Sequence, residues 1–98
     1  MIFELHFSKE AKDKLKELKE NKGLAKRYKA VEKALKNLQR NPRHPSLQTH
    51  TYASLNGPNG EKVFEAYAEQ DSPGAYRIFF FYGKQRGQII IAAITPHP

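Results

Sequence analysis

The chain has 98 residues, 39% of them hydrophobic and 11% aromatic, which fits one small domain with a single core. The absence of cysteine excludes disulfides and thiolate metal sites, and no apolar run approaches the roughly 20 residues of a membrane-spanning helix. The N-terminus lacks the pattern of a signal peptide, so we expect a cytoplasmic protein with no membrane partner. We also expect no cofactor. The formal net charge of +7 favours an anionic partner, such as nucleic acid or an acidic protein.

The first half of the chain predicts one strand and two helices. Residues Ile2–Phe7 alternate between apolar and polar side chains, which is typical of a strand. Ser8 is a suitable N-cap for the first helix, and Asn21–Gly23 is typical of a helix end or tight turn. The short connection predicts an antiparallel helix pair, which needs a sheet to complete its core. The second helix should end at Pro42, and its apolar stripe consists of Leu24, Tyr28, Val31, Leu35 and Leu38.

Positive charge is concentrated in the second helix and the loop after it. Between Lys22 and Arg43 the acidic residues are limited to Glu32. The basic residues of this segment are Lys22, Lys26, Arg27, Lys29, Lys33, Lys36, Arg40 and Arg43. Two interpretations are open, an ordinary solvated helix face or a surface that meets an anion. On the second interpretation, the candidate contacts to nucleic acid are Lys26, Lys29, Lys33, Arg40 and Arg43.

Residues 41–62 are rich in Pro, Asn, Ser, Thr and Gly and predict a long loop. Loops of this length inside a compact domain are usually functional or disordered. His44 and His50 lie in this segment, and the simplest interpretation gives neither a special role. Together with His6 and His97 they could be imagined as metal ligands, but no paired spacing supports a metal site.

The last third of the chain predicts three antiparallel strands joined by short turns. The predicted strands are Val63–Glu69, Ala75–Tyr82 and Gln88–Thr95. With simple hairpin registers, Arg77 lies opposite Tyr67 on one neighbouring strand and Ala93 on the other. Alternation then defines one wholly apolar face that should pack on the helices, and it holds Phe64, Ala66, Ala68, Ile78, Phe80, Ile90, Ala92 and Ile94.

The opposite face of these strands is predicted to face solvent and to carry the functional side chains. A one-residue slip would bury Arg77 under the helices, and we reject it for that reason. A cation beside titratable groups and exposed rings suits a nucleotide substrate, with Tyr67, Phe79 and Phe81 as candidate stacking platforms. The alternative is an ion pair of Arg77 with a glutamate across the strands, which is compatible with phosphate binding. The face holds Glu65, Tyr67, Glu69, Arg77, Phe79, Phe81, Ala93 and Thr95, and also His97 if the strand continues through Pro96.

The order of elements and three local motifs resemble the RelE/ParE superfamily of type II toxin–antitoxin toxins. The motifs are Leu38–Pro42 after the second helix, Tyr76-Arg77-Ile78 in the middle strand, and Ile90–Pro98 at the end. The last motif is most similar to the YoeB/RelE mRNA interferases, and His97 falls on their catalytic histidine. The resemblance implies a single toxin domain over residues 1–98 with an α+β fold. In that fold a small antiparallel sheet includes an N-terminal strand, and an antiparallel two-helix hairpin packs on one face.

The resemblance also implies a metal-independent endoribonuclease that cleaves mRNA on the ribosome and is silenced by a cognate antitoxin. In that reaction the RNA 2′-hydroxyl attacks the adjacent phosphorus and the 5′-oxygen leaves. By position, Arg77 would stabilise the phosphate and His97 would protonate the leaving group. Glu65 could be the base, although no family motif assigns it that role. Two other classes stay open, a ParE-like inhibitor of DNA gyrase and a non-catalytic basic domain that binds nucleic acid or only its antitoxin.

Overall fold

The computed structural model describes residues 2–70 and 72–96, and within them two helices pack on a five-stranded sheet. The helices are α1 (Lys9–Glu20) and α2 (Ala25–Arg40), and the strands are β1 (Glu4–Phe7), β2 (His50–Asn56), β3 (Lys62–Tyr67), β4 (Tyr76–Tyr82) and β5 (Gln88–Pro96). The strand order is β1-β5-β4-β3-β2. The predicted α+β class, N-terminal strand and helix pair are confirmed. Neither helix within the described ranges has the length and apolar character needed to cross a membrane.

The sheet is mixed, whereas the sequence predicts an antiparallel one. The pairs β2–β3, β3–β4 and β4–β5 are antiparallel. β1 runs parallel to β5, with Glu4 opposite Gln88 and Phe7 opposite Ile91. β1 leads directly into a helix and has no hairpin partner next in sequence, so hairpin rules cannot set its direction.

Local capping fixes α1 to the sheet. The Ser8 hydroxyl accepts a hydrogen bond from the Ala11 N–H at 3.0 Å, as expected of an N-cap, and donates to the Ala92 carbonyl of β5 at 2.8 Å. At the other end, the Asn21 side chain accepts from the Gly23 N–H and begins a short 3₁₀ turn that leads into α2. Both helices lie on the same side of the sheet, since Leu18 of α1 and Val31 of α2 join the same core cluster as Ile78.

The core lies between the helices and one face of the sheet. The apolar face predicted for β3 and β4 is confirmed, because Ala66, Ile78 and Phe80 are completely buried there. For β5 the prediction is wrong in part, since the residues that enter this core are Ile89, Ile91 and Ile94. Ile90 and Ala92 belong instead to a second apolar cluster on the other face.

A β-bulge explains the error in β5. The register shifts between Phe79 and Phe80, so Phe80 lies opposite Ile91 while Arg77 lies opposite Thr95. An extra residue in one strand reverses the faces on one side of the bulge, which alternation counted from the turn cannot reveal. Next to the turn Tyr82 lies opposite Ile89, one residue away from the predicted register, and the bulge adds a second residue. Arg77 therefore keeps its predicted face but has Thr95, not Ala93, as its partner on β5.

Residues 41–62 contain regular structure where the sequence predicts a loop. A 3₁₀ turn at Pro45–Leu47 buries Leu47, and β2 follows. β2 pairs with β3 through His50 opposite Glu65, loses its register, and pairs again only near Asn56. The Pro- and Gly-rich composition of the segment reflects the turns at either end of β2, and it conceals the strand between them.

Candidate active site

The sheet face away from the helices brings together three predicted site residues, Glu65, Tyr67 and Arg77. Arg77 lies opposite Tyr67, as predicted. Its guanidinium carbon stands 3.9 Å from the centre of the Tyr67 ring, which is a cation–π contact. Strand alternation separates these side chains from Ile78 and Phe80, which enter the helix-side core.

Arg77 is fixed in place and is more buried than the sequence predicts, with 8% of its surface exposed. Its Nη1 donates to the backbone carbonyls of Glu69 at 3.1 Å and Ala75 at 3.3 Å. These carbonyls orient the guanidinium without cancelling its charge. Its Nε has no hydrogen-bond acceptor among the described residues, because Oε2 of Glu65 is 3.7 Å away. That distance allows an ion pair but is too long for a hydrogen bond.

His50 is the residue of this site that the sequence does not reveal. It comes from β2, and its Nε2 lies 2.8 Å from Oε1 of Glu65. The His50 ring also meets the Tyr67 ring edge-on, with 5.7 Å between centroids. The sequence feature that could have revealed β2 is the run His50-Thr51-Tyr52, because β-branched and aromatic residues favour a strand.

Glu69 is predicted on the Arg77 face, but its carboxylate turns towards α2. The N–H groups of Ala68 and Glu69 both donate to the Tyr76 carbonyl, at 3.1 and 3.2 Å, which marks a second bulge. The side chain therefore changes face, and its Oε1 pairs with Arg27 of α2 at 3.2 Å. Glu69 therefore contacts Arg77 only through its backbone carbonyl, which accepts a hydrogen bond from the guanidinium. Its carboxylate forms an ion pair with Arg27 that joins α2 to the sheet.

The expectation that Phe79 and Phe81 are exposed is wrong, since only 6% and 7% of their surfaces reach solvent. With Val63 they form the second core cluster, and Tyr52 of β2 covers Phe79 with 4.9 Å between ring centroids. The unforeseen strand β2 supplies this cover. Tyr67 stays partly exposed, and its ring lies against the Arg77 guanidinium.

Burial of Phe79 gives a stability prediction. Phe79→Ala should lower the free energy of unfolding by about 3–5 kcal/mol, because it empties a packed position in the second core. Urea denaturation measures the effect. Leu55→Ala is the control, since Leu55 is 46% exposed, and it should change stability by only about 0.5 kcal/mol. Equal values for the two variants would contradict the burial of Phe79.

The predicted basic contacts lie on the helix layer and not around Arg77. All of them are exposed, on α2 or in the turn after it, namely Lys26, Lys29, Lys33, Arg40 and Arg43. One cleft connects this surface with the site. It encloses about 340 Å³ and is lined by Lys33 and Asn37 of α2 and by Tyr67 and Gln70 on the sheet side. A chain of phosphates on α2 could therefore approach Tyr67 through this cleft.

His97, the predicted catalytic histidine, lies outside the described residues. β5 extends to Pro96, which pairs with Tyr76, and Thr95 lies opposite Arg77. The described chain therefore ends at the edge of the Arg77 site, immediately before His97 in the sequence.

A helix pair on one face of a β1-β5-β4-β3-β2 sheet is the fold of the RelE and YoeB toxins. A YoeB/ParE toxin from Agrobacterium tumefaciens has a TM-score of 0.70 at 10% identity, over 97% of this chain and 99% of that one. The YoeB dimer from Staphylococcus aureus gives 0.69 at 17% identity, over 100% of both chains. The archaeal RelE–RelB complex from Pyrococcus horikoshii gives 0.65 at 16% identity, over 98% of this chain and 96% of that one. The sequence itself matches no protein-family model and no curated protein.

Proposed function

We propose that this protein is the toxin of a type II toxin–antitoxin system, and that it is a metal-independent endoribonuclease acting on mRNA at the ribosome. Arg77 carries the proposal. It is a buried guanidinium of fixed orientation beside an aromatic ring, on a fold shared with YoeB and RelE toxins. A cation fixed before the reaction stabilises developing negative charge without reorganisation. Residues 1–98 would form the single toxin domain.

The proposed reaction is an internal phosphoryl transfer. The RNA 2′-hydroxyl forms a bond to the adjacent phosphorus and gives up its proton to water, and the bond to the 5′-oxygen breaks, leaving a 2′,3′-cyclic phosphate and a 5′-hydroxyl. Arg77 binds the non-bridging oxygens as their charge rises, and His97 gives its proton to the departing 5′-oxygen. Glu65 is 6% exposed and already engaged by Arg77 and His50. It is therefore better suited to orienting these two side chains than to accepting the 2′-hydroxyl proton directly.

Programmed ribosomes test this proposal directly. Purified protein should cleave ribosome-bound mRNA to ends that carry a 2′,3′-cyclic phosphate, which primer extension and end analysis detect. A gyrase supercoiling assay run in parallel should show no inhibition. Inhibition of gyrase without cleavage would place the protein in the ParE-like class. If the protein shows neither cleavage nor gyrase inhibition, the remaining class is a non-catalytic basic domain.

A cognate antitoxin is the second proposed partner. The archaeal RelE of similar fold was solved in complex with RelB. The exposed lysines of α2 would suit an acidic antitoxin segment. Phe79 and Phe81 are buried and cannot contribute the apolar contact that exposed rings would have offered. An antitoxin complex that left both α2 and the Arg77 face uncovered would contradict this arrangement.

Charge reversal on α2 tests its role in RNA binding. The variant carries Lys26→Glu, Lys29→Glu and Lys33→Glu. It should bind RNA or ribosomes more weakly, and the slope of log affinity against log salt should become shallower by about 2. Each lysine–phosphate contact releases counterions from the RNA, and the variant loses these contacts. Binding is measured over a series of salt concentrations. The matched control reverses three exposed lysines of α1, with Lys12→Glu, Lys16→Glu and Lys19→Glu. Equal losses in both variants would show that net charge alone matters.

A further inference from the structure

His50 is held between two oxygen atoms. Its Nδ1 lies 2.8 Å from the backbone carbonyl oxygen of Gln48, and its Nε2 lies 2.8 Å from Oε1 of Glu65. The His50 side chain is 46% exposed and that of Glu65 only 8%. The ring can therefore exchange a proton with solvent, while its carboxylate partner is shielded.

These two contacts fix the number of protons that the pair must hold. A carbonyl oxygen only accepts hydrogen bonds, so Nδ1 has to carry a hydrogen. In a neutral ring Nε2 would then be a bare acceptor facing an ionised carboxylate, which is also an acceptor. The contact at 2.8 Å between His50 and Glu65 is satisfied only when one further proton lies between them. The pair is then either imidazolium with carboxylate or imidazole with carboxylic acid, and its total charge is zero in both forms.

This proton decides the charge of the whole site. Arg77, Glu65 and His50 together carry one positive charge when the proton is present and none when it is absent. β2 is an edge strand paired with β3. Apart from Glu65, the titratable group that β3 presents to the ring within the described residues is Tyr67, which meets it edge-on. The nearby Glu69 carboxylate pairs with α2 instead.

We propose that His50 is a positioning residue whose proton sets how strongly Arg77 attracts a phosphate group. This control acts on the site of the proposed ribonuclease and rests on that function. When the proton is present, His50 compensates Glu65, and the charge of Arg77 is available to an anion. When it is absent, Glu65 neutralises Arg77. A proton is lost and not gained as the pH rises, so anion binding should weaken from low to high pH.

Sulfate is the probe for this control, because its own charge stays constant from pH 5.5 to pH 8. It is titrated into the full chain at constant ionic strength, and the NMR shifts of the Tyr67 and Arg77 backbone amides report binding at the site. The dissociation constant should rise about tenfold from pH 5.5 to 8, the effect of losing one unit charge a few ångströms from the anion. Shifts that are absent at low pH, or unchanged between the two conditions, would overturn the proposal.

Three variants separate His50 from the other histidines. His50→Gln keeps a donor towards Glu65 but holds no exchangeable charge, so sulfate should bind weakly at both pH values. Glu65→Gln removes the negative charge, so sulfate should bind tightly at both. His44→Gln changes a histidine that bonds to Ser46 outside the site, and it should retain the wild-type pH dependence.

The sulfate titrations of the variants test the role of His50, whereas the ribosome assay tests the ribonuclease activity. A wild-type pH dependence in His50→Gln, or its loss in His44→Gln, would overturn the role of His50. Sulfate binding that follows the expected pattern in all three variants supports that role even if programmed ribosomes are left intact. In that case only the ribonuclease proposal fails.

Discussion

Arg77→Lys should lower the rate of mRNA cleavage on programmed ribosomes by about 10²–10³-fold, the usual cost of losing one fixed transition-state donor. The carbonyls of Glu69 and Ala75 and the ring of Tyr67 hold the guanidinium in one orientation. Lysine keeps the charge, but its single flexible ammonium group cannot reproduce the planar fork of donors. Single-turnover cleavage with protein in excess measures the loss in the chemical step.

Lysine is a sharper test than alanine at this position because Arg77 is only 8% exposed. Arg77→Ala would leave two carbonyls and Glu65 without their partner and should lower the free energy of unfolding by about 1–3 kcal/mol. Arg86→Lys is the matched control, since Arg86 is exposed and outside the site, and its cleavage rate should not change. Undiminished cleavage by a folded Arg77→Lys protein would remove Arg77 from the mechanism.

His97→Ala should lower the same rate by about 10²–10⁴-fold, the typical contribution of a general acid. Histidine suits this role because its proton is readily exchanged near neutral pH. The melting temperature of the variant is measured beside the rate, so that a loss of folding is distinguished from a loss of chemistry. Cleavage is measured as for Arg77→Lys, and the two variants can be compared in one assay.

A modified substrate distinguishes an acid from a merely structural histidine. If sulfur replaces the 5′-bridging oxygen at the cleaved bond, the leaving group departs without a proton, and His97→Ala should regain most of the wild-type rate. His6→Ala is the matched control, because His6 is an exposed histidine of β1, and it should cleave both substrates normally. A loss that the sulfur substrate does not restore would contradict the acid role.

The strongly periodic parts of the fold could be predicted from the sequence. The helix stripes, the Ser8 cap and the Arg77–Tyr67 pairing are local patterns, and all three agree with the structure. The direction of β1 could not be predicted, because its partner β5 is about eighty residues away in the sequence. Such long-range pairing leaves no signal in local alternation.

The candidate site was less predictable than the fold, for two physical reasons. Alternation assigns faces only while a strand stays regular, and the two bulges turned Glu69 towards α2 and Ile90 towards the outer face. The second reason is that the sequence does not predict β2, because this short strand lies between turn-forming residues. Without β2, the covering of Phe79 and the contact of His50 with Glu65 could not be anticipated.

The position of β2 at the edge of the sheet gives the site a local stability of its own. Six of its seven residues are exposed, and its pairing with β3 is interrupted. Strands of this kind open in local fluctuations that cost much less than global unfolding. Each opening would separate His50 from Glu65 while the helix-side core stays folded. A ligand that paired with the free edge of β2 would suppress these openings. It would keep His50 next to Glu65 and so favour anion binding at Arg77, although the ligand itself does not contact that site.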